Sequence, residues 1–238
     1  MITYNNLIYT DDNCKICVGI SPKTEEAKLH PNTQTISASA FEFCKTLKKI
    51  EFNDSLSIIY RNAFVNCINL KEVDFTKTKL IEVDENTFLL CKNLKSVKLS
   101  SACEAIKQGA FKDSGLEKIT LSKNLKTICD NAFENTNLKK IKLPKSVTFI
   151  GEHAFKNTQI TDLYIPENVK QIKDFLDGSN IKNVYYKNLS PDVEALLKSF
   201  AKPAGVNVIQ EDDLDYLLSK KSSFKEINNA YNKGGVDR

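Results

Sequence analysis

Phenylalanine recurs at a nearly constant interval through most of this chain, and no other feature restricts the possible folds so strongly. The intervals are 23, 24, 23, 22 and 22 residues between successive members of the series Phe41, Phe64, Phe88, Phe111, Phe133 and Phe155. A β-branched residue stands five positions before each of them, namely Ile36, Ile59, Val83, Ile106, Ile128 and Ile150. Such a period predicts a stack of similar units rather than one globular core.

Each unit also carries a short strand-like pair after its phenylalanine. These pairs are Ile50/Phe52, Val73/Phe75, Val97/Leu99, Ile119/Leu121, Ile141/Leu143 and Leu163/Ile165. With the leading leucine they follow the pattern L-x-x-L-x-L, which is the signature of leucine-rich repeats. One unit cannot bury its apolar edge alone, so stacking is expected to give a continuous core and a column of parallel strands about 4.8 Å apart.

The position three residues after each phenylalanine divides the units into two groups. The early units carry Cys44, Cys67 and Cys91 there, whereas the later units carry Ser114, Thr136 and Thr158 and are one residue shorter. We interpret this position as the turn into the strand, where a short side chain must fit and can bond to the backbone.

The two ends of the chain depart from the repeat and predict terminal caps, which a solenoid needs at its open ends. Residues 1–23 alternate apolar and polar positions on both sides of an Asp-Asp-Asn turn, which predicts an N-terminal β-hairpin cap. Residues 24–187 are predicted to form the solenoid, with about seven repeats and eight strands. Residues 188–238 are predicted to form a helical C-terminal cap and a tail.

The C-terminal cap is expected to begin with a helix. Ser190 suits the N-cap position and Pro191 the first helical position. An apolar stripe at helical spacing follows, formed by Val193, Leu196, Leu197 and Phe200. A short edge strand is expected at GVNVI. Further helices are predicted around Leu214–Leu218 and Phe224–Tyr231, with residues 232–238 disordered.

The recurring pattern I-x-x-x-A-F-x-x-C-x-x-L-x-x-I-x-L-P resembles the BspA-like class of leucine-rich repeats over roughly residues 24–187. It is carried by Ile59-Ala63-Phe64-Cys67-Leu70-Val73 and by Ile128-Ala132-Phe133-Leu138-Ile141-Leu143-Pro144. The resemblance implies an α/β fold class, a right-handed solenoid with a parallel β-sheet on its concave face. It also implies a protein that binds other proteins, often as a surface or adhesion molecule touching host matrix or cells.

The seven cysteines are interpreted as reduced residues of the core. Those at the repeat position are expected to stack in a buried column, where a free thiol behaves as a small hydrophobe. Cys14 and Cys17 form a single C-x-x-C without a second pair, which is too little for a zinc site. The odd total favours a reducing compartment.

No pattern of catalytic residues is recognisable. The only two histidines, His30 and His153, have no nearby acid or nucleophile pattern, and His153 is expected in an exposed turn. The sequence contains no phosphate-binding loop, no G-x-S-x-G and no H-E-x-x-H. We therefore predict a non-enzyme that needs no cofactor and no metal.

The sequence also bears on the cellular location of the protein. The segment MITYNNLIYTDDN lacks the basic and apolar regions of a secretory signal, and no apolar run is long enough to span a membrane. GGVDR carries no anchor motif. These features predict a cytoplasmic protein, whereas the family resemblance implies the cell surface.

The polar positions of the predicted strands point away from the core. They predict a sheet face that is acidic in its N-terminal part, basic in its centre and tyrosine-bearing in its C-terminal part. The predicted protein-binding residues on this face are Glu51, Glu72, Asp74, Lys98, Lys118, Lys140, Lys142, Asp162, Tyr164 and Tyr185. A basic column follows the leading leucines and consists of Lys48, Lys71, Lys95, Lys139 and Lys182.

Alternatives remain open for both features. The basic column either keeps an edge of the solenoid soluble or meets an anionic partner, because stacked like charges repel. Tyr164 and Tyr185 are predicted to be exposed anchors for a protein partner. A nucleic-acid partner is not favoured, because stacking aromatics do not alternate with the lysines and the acidic part opposes it.

Two hypotheses for the function follow from the sequence. The first is a surface or adhesion protein, and the second is an intracellular scaffold or adaptor that docks a partner protein on the same sheet. Both hypotheses assume the same binding surface and differ in the cellular location of the protein. The identity of the partner and the oligomeric state are left open.

Overall fold

The computed structural model describes residues 1–210, which build a parallel-sheet β-solenoid of about nine turns. Most turns contribute one short strand to each of two sheets, which we call the front sheet and the back sheet. The chain then returns through a segment of tight turns around the recurring phenylalanine. This arrangement keeps one face of every strand against a common interior.

The front sheet contains the L-x-x-L-x-L strands that the sequence predicted. Its strands are β4 (Glu26–Lys28), β6 (Lys49–Glu51), β8 (Glu72–Asp74), β10 (Ser96–Lys98), β12 (Lys118–Thr120), β15 (Asp162–Ile165), β17 (Asn183–Tyr186) and β18 (Asn207–Gln210). Equivalent residues of successive turns lie opposite each other, as Val73 lies opposite Val97 and Val97 opposite Ile119. The strand column predicted from the repeat is therefore present.

The back sheet was not predicted, and it contains the β-branched residues found five positions before phenylalanine. Its strands are β3 (Ile16–Ile20), β5 (Thr35–Ile36), β7 (Ile58–Ile59), β9 (Glu82–Val83), β11 (Ala105–Ile106), β13 (Thr127–Ile128), β14 (Phe149–Ile150) and β16 (Gln171–Ile172). They pair in parallel with a period of one turn, except between β7 and β9. Most are two residues long, so the alternation that marks a strand in a sequence is absent.

The phenylalanines form one interior row, as the sequence predicted. From Phe41 to Phe155 the ring centroids of neighbours are 4.7 to 5.9 Å apart and the rings are stacked within 12° of parallel. All six are essentially inaccessible to solvent. Stacked aromatic contacts add to the apolar burial that holds successive turns together.

The tight-turn segments form a third column, which we call the turn column and which comprises residues 39–43, 62–66, 86–90, 109–113, 131–135 and 153–157. The residues two before and two after each phenylalanine have φ between 53° and 63°. Asparagine is frequent at these positions because it tolerates the left-handed region better than most residues. The N–H groups of Asn62, Phe64 and Asn66 donate to carbonyls of the next turn at 2.8–2.9 Å, and the same ladder recurs along the column.

The N-terminal residues form an antiparallel sheet that continues into the back sheet. β1 (Ile2–Tyr4), β2 (Leu7–Tyr9) and β3 are antiparallel neighbours, and β3 pairs in parallel with β5. The buried Tyr9 hydroxyl accepts a hydrogen bond from the His30 N–H at 3.0 Å and so links this sheet to the first turn. The role of these strands as a cap stays a prediction.

At the C-terminal end the predicted helix and edge strand are both present. The helix α1 (Pro191–Ala204) has Ser190 as its N-cap and ends at Gly205, whose φ is 65°. β18 then pairs in parallel with β17. The two further helices and the disordered tail predicted for residues 214–238 lie outside the described residues. Nothing in residues 1–210 forms a helix long and apolar enough to cross a lipid bilayer.

The α/β class predicted from the family resemblance needs correction. Within residues 1–210 the only α-helix is α1, which lies after the main run of repeats. The turns themselves consist of strands and tight turns, so the molecule is a β-solenoid. The leucine-rich-repeat pattern specifies a strand in each unit, but the return segment is too short and too rich in left-handed residues to form a helix.

Candidate functional site

The front sheet carries most of the residues that the sequence predicted as a binding surface. In β6, β8 and β10 the central residue is buried and its two neighbours are exposed or half-buried, because successive side chains alternate between the faces of a strand. The predicted residues that lie on front-sheet strands are Glu51, Glu72, Asp74, Lys98, Lys118, Asp162, Tyr164 and Tyr185.

Ion pairs within one strand and between neighbouring turns organise the N-terminal half of this surface. The Lys98 Nζ lies 3.1 Å from Asp74 Oδ2, and the Lys49 Nζ lies 3.0 Å from Glu51 Oε1. The hydrogen bond from Lys49 and the charges of Lys49 and Lys28 hold the pKa of Glu51 below its ordinary value. The pKa of Asp74 is also lowered, first by the hydrogen bond from the Thr76 hydroxyl at 2.6 Å.

The basic column is partly neutralised by the chain itself. Lys48 Nζ lies 2.7 Å from Glu25 Oε2, and Lys95 Nζ lies 2.7 Å from Glu117 Oε1. All five lysines of the column are exposed. Exposed pairs of this kind contribute little to stability, so their main effect is to reduce the repulsion expected from a stack of like charges.

The prediction that both tyrosines are exposed is wrong for Tyr185. Its side chain is only 4% exposed, and its hydroxyl donates to Asp162 Oδ1 at 3.2 Å. Tyr164 is half-buried. β17 is covered because β18 extends the front sheet beyond it, and the short GVNVI segment does not by itself indicate which strand it will pair with. The acidic and lysine-rich parts therefore offer more accessible side chains than the tyrosine-bearing part.

The predicted strand at Ile141 and Leu143 is also wrong. Residues 138–143 do not form a strand, and the front sheet is interrupted between β12 and β15. Lys140 and Lys142 lie on this segment. Lys118 and Lys140 hold equivalent positions in successive turns, and regular pairing would place two ammonium groups at strand spacing, which is unfavourable. Desolvation lowers the pKa of the half-buried Lys142.

The front sheet contains a cleft of about 610 Å³ between β6 and β8, which we call the junction cleft. Exposed charged side chains line most of it, together with the half-buried Phe52, whereas Ile50 is only 5% exposed and its side chain belongs to the core. Its lining comprises Glu26, Lys48, Lys49, Ile50, Glu51, Phe52, Lys71, Glu72, Asp74, Thr76 and Lys77. A volume of this size is typical of sites that hold a small ligand or part of a peptide.

A smaller depression of about 300 Å³ adjoins the junction cleft on its N-terminal side. It shares Glu26, Lys49 and Glu51 with the cleft and reaches Asn5 and Asn6 in the N-terminal sheet. The two depressions form a groove that crosses the strands along the axis of the solenoid. Sequence reasoning placed individual residues on this face but missed the groove.

Of the three cysteines predicted to form a buried column, Cys67 and Cys91 are buried, whereas Cys44 is half-buried. The Cys67 thiol donates to the Phe41 carbonyl and the Cys91 thiol to the Phe64 carbonyl, both at 3.0 Å. In the shorter turns the Thr136 hydroxyl donates to the carbonyl of its own phenylalanine at 2.8 Å. Burial raises the pKa of Cys91 to about 12, so this thiol is not a nucleophile at neutral pH.

His153 occupies the turn column rather than a freely exposed turn. Its φ is 53°, it is half-buried, and its Nε2 lies 2.7 Å from Asp177 Oδ2. This contact links the sixth turn to the next one and lowers the pKa of Asp177. The arrangement is one more bond between turns and brings no second titratable group of a catalytic kind to the imidazole.

The sequence matches a family described as BspA type Leucine rich repeat region, in six copies over residues 20–136 and 104–210. No curated protein matches the chain. Among solved structures, a leucine-rich repeat protein from Eubacterium ventriosum is 25% identical, with a TM-score of 0.53 over 66% of this chain and 51% of that one. The chain therefore spans about half the length of the Eubacterium protein.

Two further solved structures match the chain. A leucine-rich repeat protein from Bacteroides ovatus is 16% identical, with a TM-score of 0.51 over 89% of this chain and 76% of that one. A leucine rich cell surface protein from Faecalibacterium prausnitzii is 14% identical, with a TM-score of 0.45 over 94% of this chain and 96% of that one.

Proposed function

The chain belongs to the BspA-type leucine-rich repeat family, and from this membership we propose that it is a non-catalytic module that binds a partner protein through the front sheet. The observation that carries the proposal is the groove across the front sheet, which is lined by charged side chains together with the half-buried Phe52. Protein-recognition surfaces combine such apolar contact with a polar rim.

Rigidity of the front sheet supports this role. Each of its strands pairs with at least one neighbour, β10 and β17 pair on both sides, and ion pairs such as Lys98–Asp74 restrict charged side chains of this surface. A surface whose side chains are already positioned loses less conformational entropy when it binds. The solenoid thus provides an extended platform that one peptide segment can cross.

We propose a surface or adhesion setting for this binding, in line with the family. An intracellular scaffold is the second candidate, and the observation that favours it is the presence of seven free cysteines, of which five are buried. Protease treatment of intact producer cells separates the two. Loss of the protein supports the surface setting, and full protection supports the scaffold.

The binding itself is tested with a phage library of random linear 12-residue peptides panned on the immobilised chain. Peptides enriched over an empty surface are expected to lose at least tenfold in affinity for the double variant Lys98→Glu/Lys118→Glu. The matched control is Lys15→Glu/Lys170→Glu, which makes the same charge change at exposed positions next to back-sheet strands.

The comparison of these two variants decides the proposal. Retained binding to the control and lost binding to the front-sheet variant support recognition through the front sheet. No enrichment at all, or equal affinity for the two variants, contradicts it.

A further inference from the structure

One junction between turns is built differently from the others. In the part of the chain that the structure describes, no strand pairing joins β6 to β8 in the front sheet or β7 to β9 in the back sheet. The turn column is continuous there, and two isolated backbone hydrogen bonds also cross, from Lys71 N–H to the Lys48 carbonyl and from Lys79 N–H to the Leu56 carbonyl. Both sheets therefore open at the junction between the second and third turns.

A single extra residue coincides with this opening. In six other turns the back-strand β-branched residue comes seven positions after the last front-strand apolar residue, as Ile59 comes after Phe52. In this turn Val83 comes eight positions after Phe75. The extra residue falls between Phe75 and the buried Leu80. The longer loop contributes Thr76 and Lys77 to the wall of the junction cleft.

Apolar side chains on the outward side of the back sheet are exposed beside the same junction. Ile58, Tyr60 and Ile81 are 42%, 49% and 59% exposed, in contrast to the buried Ile59 and Val83 beside them. They lie where β7 and β9 fail to pair. The junction is thus a local departure from the repeat in which neither sheet is paired, and the cleft lies on its front face.

The junction cleft suits a long cationic side chain. Ile50 faces the core, but Phe52 is half-buried, with its ring against Phe64 and Phe75, and its accessible part can contact an aliphatic stem. The outward positions of β4, β6 and β8 carry four carboxylates and two lysines: Glu26, Glu51, Glu72 and Asp74 against Lys28 and Lys49. The lining of the cleft also includes Lys48, Lys71 and Lys77, so its carboxylates and lysines balance, and the excess of negative charge belongs to the outward positions of the three strands alone.

Two of these carboxylates are held less tightly than the others, although the charge of Glu26 acts on the neighbouring Lys49. Within residues 1–210, Glu26 and Glu72 form no salt bridge and no side-chain hydrogen bond, whereas Glu51 and Asp74 are held by lysines. Glu26 lies opposite Lys49 in the strand register, and Glu72 holds the equivalent position on the next turn. A cation in the cleft would therefore find acceptors on both of its walls.

The charge reverses in the next turns of the front surface. The outward positions of β10, β12 and residues 138–143 carry four lysines and no carboxylate: Lys98, Lys118, Lys140 and Lys142. From β8 to these turns the distance is one to three strand spacings, or about 5 to 14 Å. An extended peptide covers about 10 to 14 Å in three to four residues.

We propose that the junction cleft anchors an arginine or lysine side chain of an extended partner segment, whose acidic residues three to four positions away lie over the lysines of β10 and β12. The proposal rests on the function proposed above and names the partner chemistry. The segment crosses the strands along the solenoid axis, with its basic residue over Glu26 and Glu72 and its acidic residue over Lys118.

The experiment uses the peptides enriched in the panning described above, made synthetically and measured by fluorescence anisotropy against the full chain. They are expected to carry arginine or lysine three to four residues from aspartate or glutamate. Glu72→Lys should weaken their binding at least tenfold, and a peptide with its basic residue changed to glutamate should bind this variant better than it binds the unaltered chain. Glu152→Lys, an exposed glutamate outside the front sheet, is the matched control.

Deletion of Lys77 tests the role of the extra residue, because it restores the loop to the length found in the other turns. Binding of the same peptides should fall at least tenfold although Glu26 and Glu72 are both retained. If the deletion variant fails to fold, as judged by circular dichroism, the charge-reversed peptide on Glu72→Lys decides the question.

Three results would overturn the proposal. If the peptides lose affinity for Lys98→Glu/Lys118→Glu but bind Glu72→Lys and the deletion variant as tightly as the unaltered chain, the proposed function stands and the cleft is not the anchor. Enriched peptides without basic residues would refute the cationic partner. Concentration-dependent self-association that Glu72→Lys abolishes, without enrichment of basic peptides, would identify a second copy as the occupant.

Discussion

Replacing Phe111 by alanine tests the physical basis of the stack. The ring is fully buried and lies between Phe88 and Phe133, with centroids 5.5 and 5.6 Å away and planes within 4° of parallel. Truncation of a buried phenylalanine costs about 3–5 kcal/mol, because packing against the rings on both sides disappears and a cavity remains. The backbone ladder of the turn column does not depend on this side chain, because the Phe111 N–H donates to the Ala132 carbonyl.

The loss is large compared with the stability of ordinary domains, about 5–15 kcal/mol. Each turn touches only its neighbours, so the cavity weakens the coupling between the two halves and unfolding is expected to become multi-step. Urea unfolding followed by circular dichroism measures the change, and hydrogen exchange with mass spectrometry assigns it to each half.

The matched control is Phe43→Ala. Phe43 lies in the same column but is 59% exposed, so its truncation should change the free energy of unfolding by no more than about 0.5 kcal/mol. A single transition at an unchanged urea midpoint for Phe111→Ala would refute the view that the phenylalanine row couples the turns.

Three further outcomes are expected. The Thr76 hydroxyl is the main cause of the lowered pKa of Asp74, so Thr76→Val should raise that pKa towards its ordinary value, which carboxyl NMR titration can follow. Because the pKa is lower in the folded state, the hydrogen bond stabilises the fold above the unfolded pKa, and this stabilisation is lost as the pH falls through the folded pKa. Equal changes in the free energy of unfolding at pH 2 and pH 7 would contradict this. Alkylation at pH 8 followed by mass spectrometry should modify the half-buried Cys129 before the buried Cys91, and the reverse order would show that the column opens. Because Asn62 has a φ of 62°, Asn62→Gly should change the melting temperature little, whereas Asn62→Val should lower it clearly. Equal melting temperatures of the two variants would contradict the view that this position requires a left-handed backbone.

The sequence predicts the interior of this molecule better than its surface. The phenylalanine spacing predicted the row from Phe41 to Phe155 because volume and period together leave one way to pack such residues. The back sheet was missed although its β-branched residues were recognised, because a strand as short as Thr127–Ile128 has no alternation to detect. These short strands form because they pair with the neighbouring turns, so the sequence of a single repeat does not predict them.

The candidate site was predicted in outline only. Glu72 and Asp74 were placed on the correct face by the two-residue period of a strand. The burial of Tyr185 depends on β18, which a single short apolar run could not securely place. The sequence does contain one sign of the cleft, because Val83 comes eight positions after Phe75 instead of seven. A difference of one residue can be interpreted only once the structure shows that the strands of these neighbouring turns do not pair.

The opening between the second and third turns has a mechanical consequence. Strand pairing spreads a pulling force over many hydrogen bonds, but across this junction the load falls mainly on the turn column and the stacked rings of Phe64 and Phe88. When the solenoid is stretched from its ends, it should yield first at this point, so that the first two turns and the N-terminal strands detach as a unit while the later turns keep their shape. Because no strand pairing fixes them to each other, the two walls of the cleft would change their separation under tension.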